Sequence, residues 1–268
     1  MSDFEKLGIV IRYEFLKHIR RARLYIILGI ALLVEAVMLI LVPVLTHKGF
    51  PADVKTMAAL LTVGPSLAAI GAVFFAGDAI AGEYESKTGF LLFTNPVKRE
   101  TLWVGKYLAG LLSVFLLMVF TYIIIAVSLL IIYHSVPWQM YESFGLAMYY
   151  AAAVLSTTFF FSAISRGSMG ATIMTLLFVW VVCGILESVL AYTNNPYWFV
   201  LSSGGDAIAT VYGGMDMYLS GLGMNSAQFG SMMNFQLVTP AMASWGMTIY
   251  FVGGFVSSIF LARRRQLA

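Results

Sequence analysis

The sequence predicts an all-α membrane protein with six transmembrane helices, and three observations support this fold class. First, hydrophobic residues make up 60% of the 268 residues, and the mean hydropathy is +0.87. A soluble domain of this length cannot bury so much apolar surface, so part of the surface must face lipid. Second, six apolar stretches each reach the roughly 20 residues that a helix needs to cross a bilayer. Third, the basic residues are concentrated in alternate loops, which is typical of a multi-pass membrane protein.

The spans follow one another along the whole chain, so we expect a single transmembrane domain over residues 1–268. They are predicted at residues 25–45, 57–77, 107–133, 143–164, 169–192 and 241–262. Three further segments complete the chain: an N-terminal arm at 1–24, a polar loop at 77–106, and a loop at 193–240 before the last span.

The positions of lysine and arginine predict the orientation. Of the 16 basic residues, all but Lys48 and Lys55 lie in the arm, the loop at 77–106, the turn after the fourth span, or the C-terminal tail. Basic residues are enriched in cytoplasmic loops. We therefore expect a cell-membrane protein with both termini and the loop at 77–106 in the cytoplasm.

The arm has the pattern of an amphipathic helix. Its apolar residues recur at intervals of three and four, and its charged residues fall on the opposite face. The apolar set is Phe4, Gly8, Ile11, Phe15, Ile19 and Ala22, and the charged set is Lys6, Glu14, Lys17 and Arg21. A basic amphipathic helix before a span is expected to lie in the membrane interface, either as an anchor or as an elbow that moves with the first span.

The loop at 193–240 has no lysine or arginine and is rich in Gly, Met and Tyr. It is too apolar for a disordered linker. We expect an extracytoplasmic loop with short helices that fold onto the outer ends of the spans or dip partly into the membrane.

The loop at 77–106 contains a predicted short helix, Ala79–Phe93. Glu83 precedes Lys87 by four residues, the favourable orientation for a helical ion pair, and Pro96 ends the helix. Lys106 follows at the start of the third span, where its side chain could snorkel towards water.

No catalytic motif is present in the sequence. Gly105 and Lys106 lack the upstream glycine of a phosphate-binding loop, no histidine pair has metalloprotease spacing, and no serine lies in a nucleophile elbow. We therefore expect neither an enzyme nor a metal site in this chain, and no nucleic-acid partner. If energy is used, another subunit supplies it.

The loop at 77–106 resembles the first cytoplasmic loop of the type-2 ABC transporter permease family. The resemblance is carried by acidic residues, a Thr-Gly pair, a Leu-Leu pair, a Pro-Val pair with basic residues, and a Gly-Lys pair. These are Glu83, Glu85, Thr88, Gly89, Leu91, Leu92, Pro96, Val97, Lys98, Arg99, Gly105 and Lys106. One extra residue separates Glu85 from Thr88 compared with the tightest form of the family.

The resemblance implies a permease subunit of an ABC exporter, acting as a homodimer with two copies of a separate ATPase subunit. ATP and Mg²⁺ would be bound by that partner, with no cofactor in this chain. The predicted helix would be the coupling helix that docks on the ATPase. The residues implied in coupling are Glu83, Tyr84, Glu85, Lys87, Thr88, Leu91, Leu92, Pro96 and Arg99.

Two acidic residues within the spans are candidates for a translocation path. Glu35 lies near the middle of the first span, and Glu187 lies near the outer end of the fifth. Charged residues at such depth are rare and often functional, although a buried helix–helix hydrogen bond is the alternative for both.

Three other functions compete with the exporter. A secondary transporter would use Glu35 as a proton carrier and would have matched broken spans, but only Gly64-Pro65 suggests a break. A membrane enzyme would need clustered polar residues at one depth. A mechanotransmitter of the ABC type would move no substrate and would act on an extracytoplasmic partner through the loop at 193–240.

Overall fold

The computed structural model describes residues 3–46, 49–86, 98–193, 195–213 and 239–264, and within these ranges the regular structure is helical. We number the helices in chain order. They are α1 (Asp3–Arg20), α2 (Ala22–Thr46), α3 (Val54–Leu61), α4 (Val63–Ala76), α5 (Ala81–Glu85), α6 (Arg99–Tyr133), α7 (Gln139–Ile164), α8 (Ser168–Leu176), a π-helical segment (Leu177–Val182), α9 (Cys183–Tyr192), α10 (Ser203–Thr210) and α11 (Pro240–Arg264).

Within the described residues, five helical segments are long and apolar enough to cross a membrane. They lie at Ala22–Val44, Arg99–Tyr133, Gln139–Ile164, Ser168–Tyr192 and Pro240–Arg264. These match the predicted first, third, fourth, fifth and sixth spans. The fifth is formed by α8, the π-helical segment and α9 in direct succession.

The predicted second span is divided into two helices, α3 and α4. The break lies at Thr62, whose backbone N–H and side-chain hydroxyl both donate to the Ala59 carbonyl, at 3.2 and 2.5 Å. Pro65 has no N–H to donate to the carbonyl four residues earlier, which removes one helical hydrogen bond at this point. With 8 and 14 residues, neither helix alone reaches the roughly 20 residues of a span.

Helix α7 forms the centre of the bundle and packs against α4, α6, α8, α10 and α11. It runs parallel to α11, because Tyr149 bonds Thr248 at 2.6 Å and a Cβ on Gly254 would lie 2.9 Å from the Ser156 backbone. Only a residue without a side chain permits the approach at Gly254.

Helix α1 packs along α6 with its polar face inward. Glu14 and His18 are buried, whereas Phe4 and Tyr13 are exposed. The predicted division into two faces is not confirmed, because Ile11, Phe15 and Ile19 of the apolar set are half-buried like Lys17 of the charged set. In this structure the face that carries Glu14 and Lys17 contacts protein.

The loop at 193–240 contributes one described helix, α10, which packs against α7 and α11. Residues 214–238 lie outside the described part of the chain.

Candidate functional site

A buried cluster of charged residues lies where the loop after α4 meets α1 and α6. Lys106 of α6 donates to Glu14 of α1 at 2.9 Å and to Glu83 of α5 at 2.5 Å. Lys17 adds a bond to Glu14 at 3.1 Å and lies 4.0 Å from Glu83. We call Glu14, Lys17, Glu83 and Lys106 the lysine cluster.

Burial makes the lysine cluster strongly interdependent. Lys106 is only 3% exposed, and Glu14 and Glu83 are 6% exposed each. Burial alone would raise the pKa of Glu14, but Lys106 and Lys17 outweigh it and hold that pKa below its ordinary value. Removing one member of a buried ion pair leaves an uncompensated charge, at a cost of about 3–5 kcal/mol. The three helices are therefore tied together at this point.

A single serine holds the start of α5. The Ser162 hydroxyl of α7 accepts from the backbone N–H groups of Ile80 and Ala81, at 3.2 and 2.9 Å, and donates to the Gly77 carbonyl at 2.9 Å. It thereby satisfies backbone groups that a helix start leaves without partners. Ser162 and Ile80 are fully buried, so water has no access to replace these bonds.

The other end of α5 contacts the turn between α7 and α8. Glu85 accepts from the backbone N–H of Ser168 at 2.8 Å and from its hydroxyl at 2.7 Å. The bonds from the Ser168 backbone and hydroxyl hold the pKa of Glu85 below its ordinary value. Because Ser168 is the first residue of α8, this carboxylate also faces the positive end of the helix dipole.

Ion pairs at Asp78 extend these contacts to the junction of α1 and α2. The Asp78 carboxylate accepts from Arg21 and, at 3.4 Å, from Arg23. Beside this junction His18 packs edge-to-face on Phe75, with ring centroids 5.4 Å apart. Burial lowers the pKa of His18 to about 4, so its neutral form is favoured.

The residues implied in coupling are only partly described. Glu83, Tyr84 and Glu85 lie together on α5, and Arg99 is exposed at the start of α6. Lys87, Thr88, Leu91, Leu92 and Pro96 lie outside the described residues, so the predicted Glu83–Lys87 pair does as well. Helix α5, Ala81–Glu85, falls inside the predicted helix Ala79–Phe93. The expectation that Lys106 snorkels to water is wrong, because two buried carboxylates hold its ammonium group.

The two candidate path residues lie in different environments. Glu35 of α2 is buried, and its Oε1 atom has no hydrogen-bond partner among the described residues. Glu187 of α9 is half-buried and shares a hydrogen bond with Asp206 of α10. Burial, together with the bond to Glu187 and its charge, raises the pKa of Asp206 well above its ordinary value. We call Glu187 and Asp206 the carboxyl pair.

Sequence reasoning missed several of these residues. Glu14 was seen only as part of a charged helix face, and its spacing contained no sign of the distant partner Lys106. Nothing local distinguishes Ser162 or Ser168 from other hydroxyl residues in the spans. Asp206 is an acid in a loop that has no lysine or arginine, and this signal could have suggested a partner for Glu187.

These features define a polytopic helical membrane protein whose polar loop is tied to several spans. A family model described as ABC-2 family transporter protein matches residues 10–182, well over half of the chain. The chain belongs to this family, and it is a multi-pass membrane permease component of an ABC transporter. A permease of this family is not a catalytic ATPase domain, and the family implies an ABC ATPase subunit as partner. No curated protein matches the chain.

Proposed function

We propose that the chain is the transmembrane subunit of an ABC exporter, paired as a homodimer with two ATPase subunits that act through the loop at 77–106. The family match supports transport, and the export direction follows from the resemblance of this loop. The observation that carries the proposal is the connectivity of α5. Glu83 ties it to α1 and α6, Ser162 ties it to α7, and Glu85 ties it to α8.

In this mechanism, ATP-driven closure of the ATPase dimer displaces α5. Separating Glu83 from Lys106 in a buried site is costly, so α1 and α6 move with α5 instead of losing contact. Movement of the first, second and fifth spans then opens a central path, to which Glu35 and Glu187 are the candidate polar contributors.

The break at Thr62 fits the same mechanism. We propose that α3 and α4 cross the bilayer together as a broken second span, since with Thr62 they reach about 34 Å at 1.5 Å per residue. That crossing would place both termini in the cytoplasm, in agreement with the charge distribution. Because α4 leads directly to α5, the break would let α4 tilt while α3 stays in place.

The proposed surface for the ATPase consists of Tyr84, Glu85 and Arg99, with the undescribed residues from Lys87 to Pro96. Glu83 points away from it into the lysine cluster. Its role would therefore be to transmit displacement to α6, with the contact to the ATPase made by its neighbours.

Co-expression with ABC ATPase subunits from the same organism tests the proposal. We expect an ATPase to co-purify with the chain and its ATP hydrolysis to rise in the complex. The double variant Glu83→Gln/Lys106→Met removes one acid and one cation together and leaves Glu14 paired with Lys17, so we expect it to assemble with the ATPase but to lose the stimulation. Lys98→Met, which breaks only an exposed pair with Asp3, is the matched control and should keep it.

Two results would contradict the proposal. One is that no ABC ATPase binds the wild-type chain. The other is that the double variant assembles and stimulates hydrolysis as well as the wild type does.

The buried Glu35 favours one alternative, an ion-coupled transporter with this residue as proton carrier. A neutral carboxyl without a cation partner at bilayer depth is the expected resting state of such a carrier. In that case Glu35→Gln would abolish proton uptake into vesicles that contain the chain alone. Vesicles that show no uptake with either chain would rule out this alternative.

A further inference from the structure

A cavity of about 260 Å³ opens on the side of the bundle, between α7, the π-helical segment and α11. Its walls include Phe161, Phe178 and Tyr250. The Phe178 ring packs at a tilt against the other two, with its centroid 5.5 Å from that of Phe161 and 6.2 Å from that of Tyr250. Among the described residues, no charged side chain lines the cavity. Ile249 belongs to the wall and is 58% exposed, so the cavity is continuous with the exposed apolar surface of α11.

Two neighbouring glycines of α11 differ in the space beside them, one in a tight helix–helix contact and the other open. A Cβ on Gly254 would meet the Ser156 backbone at 2.9 Å, whereas a Cβ on Gly253 would meet nothing within 4 Å. Gly254 therefore sets the distance between α7 and α11, and Gly253 faces open volume. This difference allows the cavity to be filled without forcing the helices apart.

The helices that wall the cavity end in basic residues on one side. Since α7 and α11 run parallel, the turn after α7 and the C-terminus of α11 lie at the same end of the bundle. The turn carries the exposed Arg166, and α11 ends with Arg263 and Arg264. Arg263 pairs with Glu100 at 2.7 Å, while the Arg264 guanidinium lies over the Phe260 ring at 4.2 Å.

We infer that this cavity and the arginines beyond it form a binding site for one anionic glycerophospholipid. One acyl chain would fill the cavity, and the phosphate would meet Arg166 and Arg264. The spacing suits such a molecule, because Ser257 at the near end of the cavity lies seven residues before Arg264, or about 10 Å along the helix. The cavity volume is below the roughly 300 Å³ at which ligand pockets begin, which suits a single chain better than a drug-sized molecule.

The choice of occupant follows from the surroundings. Lipid tails are as apolar as the cavity wall, so no hydrophobic drive distinguishes the site, and binding comes from packing contacts and the headgroup charge. Lipid acyl chains also surround the parts of α7 and α11 that cross the bilayer, where the cavity opens. Arg264 lies over an aromatic ring and has no acidic partner among the described residues, and Arg166 lies at the same end of the bundle, so the two provide charge complementarity to phosphate.

Native mass spectrometry of the delipidated chain in detergent tests this site. Phosphatidylglycerol and phosphatidylcholine with identical chains are added separately, and the lipid-bound fraction is measured for each. We expect the wild type to bind phosphatidylglycerol more tightly. Gly253→Leu should weaken binding of both lipids roughly tenfold, equivalent to about 1.4 kcal/mol. Arg166→Gln/Arg264→Gln should lower phosphatidylglycerol binding to the phosphatidylcholine level.

Two further variants make the test decisive. Gly184→Leu places the same side chain at another spanning glycine with open space and should bind lipid as the wild type does. Ser257→Leu fills the near end of the cavity and replaces Gly253→Leu if that variant does not fold. Unchanged lipid binding in the filled variants, or equal binding of the two lipids by the wild type, overturns the inference. A filled variant that loses dimerisation while keeping its lipid would identify the surface as a contact between two copies, which also overturns it.

Discussion

The lysine cluster and the carboxyl pair are two polar contacts between helices, and they stabilise buried acids by different means. In the cluster, Glu14 and Glu83 share the ammonium of Lys106, so charge is compensated by charge. In the pair, Glu187 and Asp206 interact with each other, and one of the two carboxyl groups must carry a proton for a hydrogen bond to form between them. The first contact stays charged over a wide pH range, whereas the second depends on a proton.

The two contacts also differ in what they hold. The cluster ties the loop after α4 to α1 and α6, while the pair ties α9 to the short helix α10. Near the pair, the Tyr150 hydroxyl lies 3.8 Å from the position of a Cβ on Gly205. Tyr150 is 12 residues before Ser162 on α7, or about 18 Å along the helix. The lysine cluster is thus a rigid, ion-paired contact beside the proposed ATPase surface, and the carboxyl pair is a softer, protonatable contact near the other part of α7. Such a combination suits a protein that transmits movement from one end of α7 to the other.

The largest expected effect comes from breaking the lysine cluster. Lys106→Met removes the buried cation that Glu14 and Glu83 share, so we expect a loss of about 3–5 kcal/mol in unfolding free energy. SDS-titrated unfolding in detergent, followed by tryptophan fluorescence, measures it. The matched control Lys98→Met breaks an exposed pair and should cost about 0–1 kcal/mol. Equal losses in the two variants would show that the cluster holds nothing together.

Ser162→Ala tests the neighbouring anchor of α5. It leaves buried N–H groups of Ile80 and Ala81 without their acceptor, at an expected cost of about 1–3 kcal/mol. Ser113→Ala is the control, because within the described part of the chain that buried hydroxyl donates to the Ala109 carbonyl of its own helix. Hydrogen exchange at Ile80 and Ala81 should also accelerate in Ser162→Ala. Protection equal to the wild type would contradict the assigned role.

The carboxyl pair should give the protein a pH dependence that the cluster does not share. Because the pKa of Asp206 is raised in the folded state, its stabilisation is fully present below the ordinary value of 3.8 and is lost as pH rises through the raised pKa. Asp206→Asn can donate to Glu187 at any pH, so it should remove this loss, which we place at about 0.5–2 kcal/mol as for other interhelical bonds in membranes. Unfolding curves from pH 3.8 upwards measure it. An unchanged pH profile in the variant would show that the pair does not titrate.

A fall in pH should destabilise the region of the lysine cluster and the adjacent His18. The pKa of Glu14 is lowered, so its contribution is present above the ordinary value of 4.5 and is lost as pH falls. His18, with a pKa lowered to about 4, adds a loss that begins below its ordinary value of 6.5. His18→Gln should therefore flatten the upper part of the acid transition and leave unchanged the loss of stability that Asp206 causes as pH rises. If the loss on rising pH changes instead, the two regions are not independent.

The smallest effect is expected at Glu35, a buried acid without a described partner for Oε1. If the carboxyl is neutral, Glu35→Gln preserves its size and polarity and should change unfolding free energy by no more than about 0.5 kcal/mol. Any transport defect in this variant would then reflect function. A large loss of stability would instead reveal an ionised carboxylate with a partner.

Much of the fold could be predicted from the sequence because its signals are local. Spans one, three, four, five and six follow from runs of apolar residues, and α1 follows from its three-and-four periodicity. The division of the predicted second span into α3 and α4 was harder to predict, because Gly64-Pro65 suggests a break but does not show that α3 ends before Thr62. The charged residues of the loop at 77–106 were recognised, but not which of them point inward.

The sequence by itself determined that this chain lies in a membrane, which of its segments are polar, and that the loop at 77–106 resembles that of an ABC permease. Composition and spacing carry these properties because lipid imposes the same requirement on every span. Only the tertiary structure decided that Lys106 joins Glu14 and Glu83, that Ser162 holds α5, and that Glu187 meets Asp206. The residues in each contact come from different helices, and their separation in sequence ranges from 19 to 92 positions. Packing of whole helices, which no local pattern encodes, brings them together.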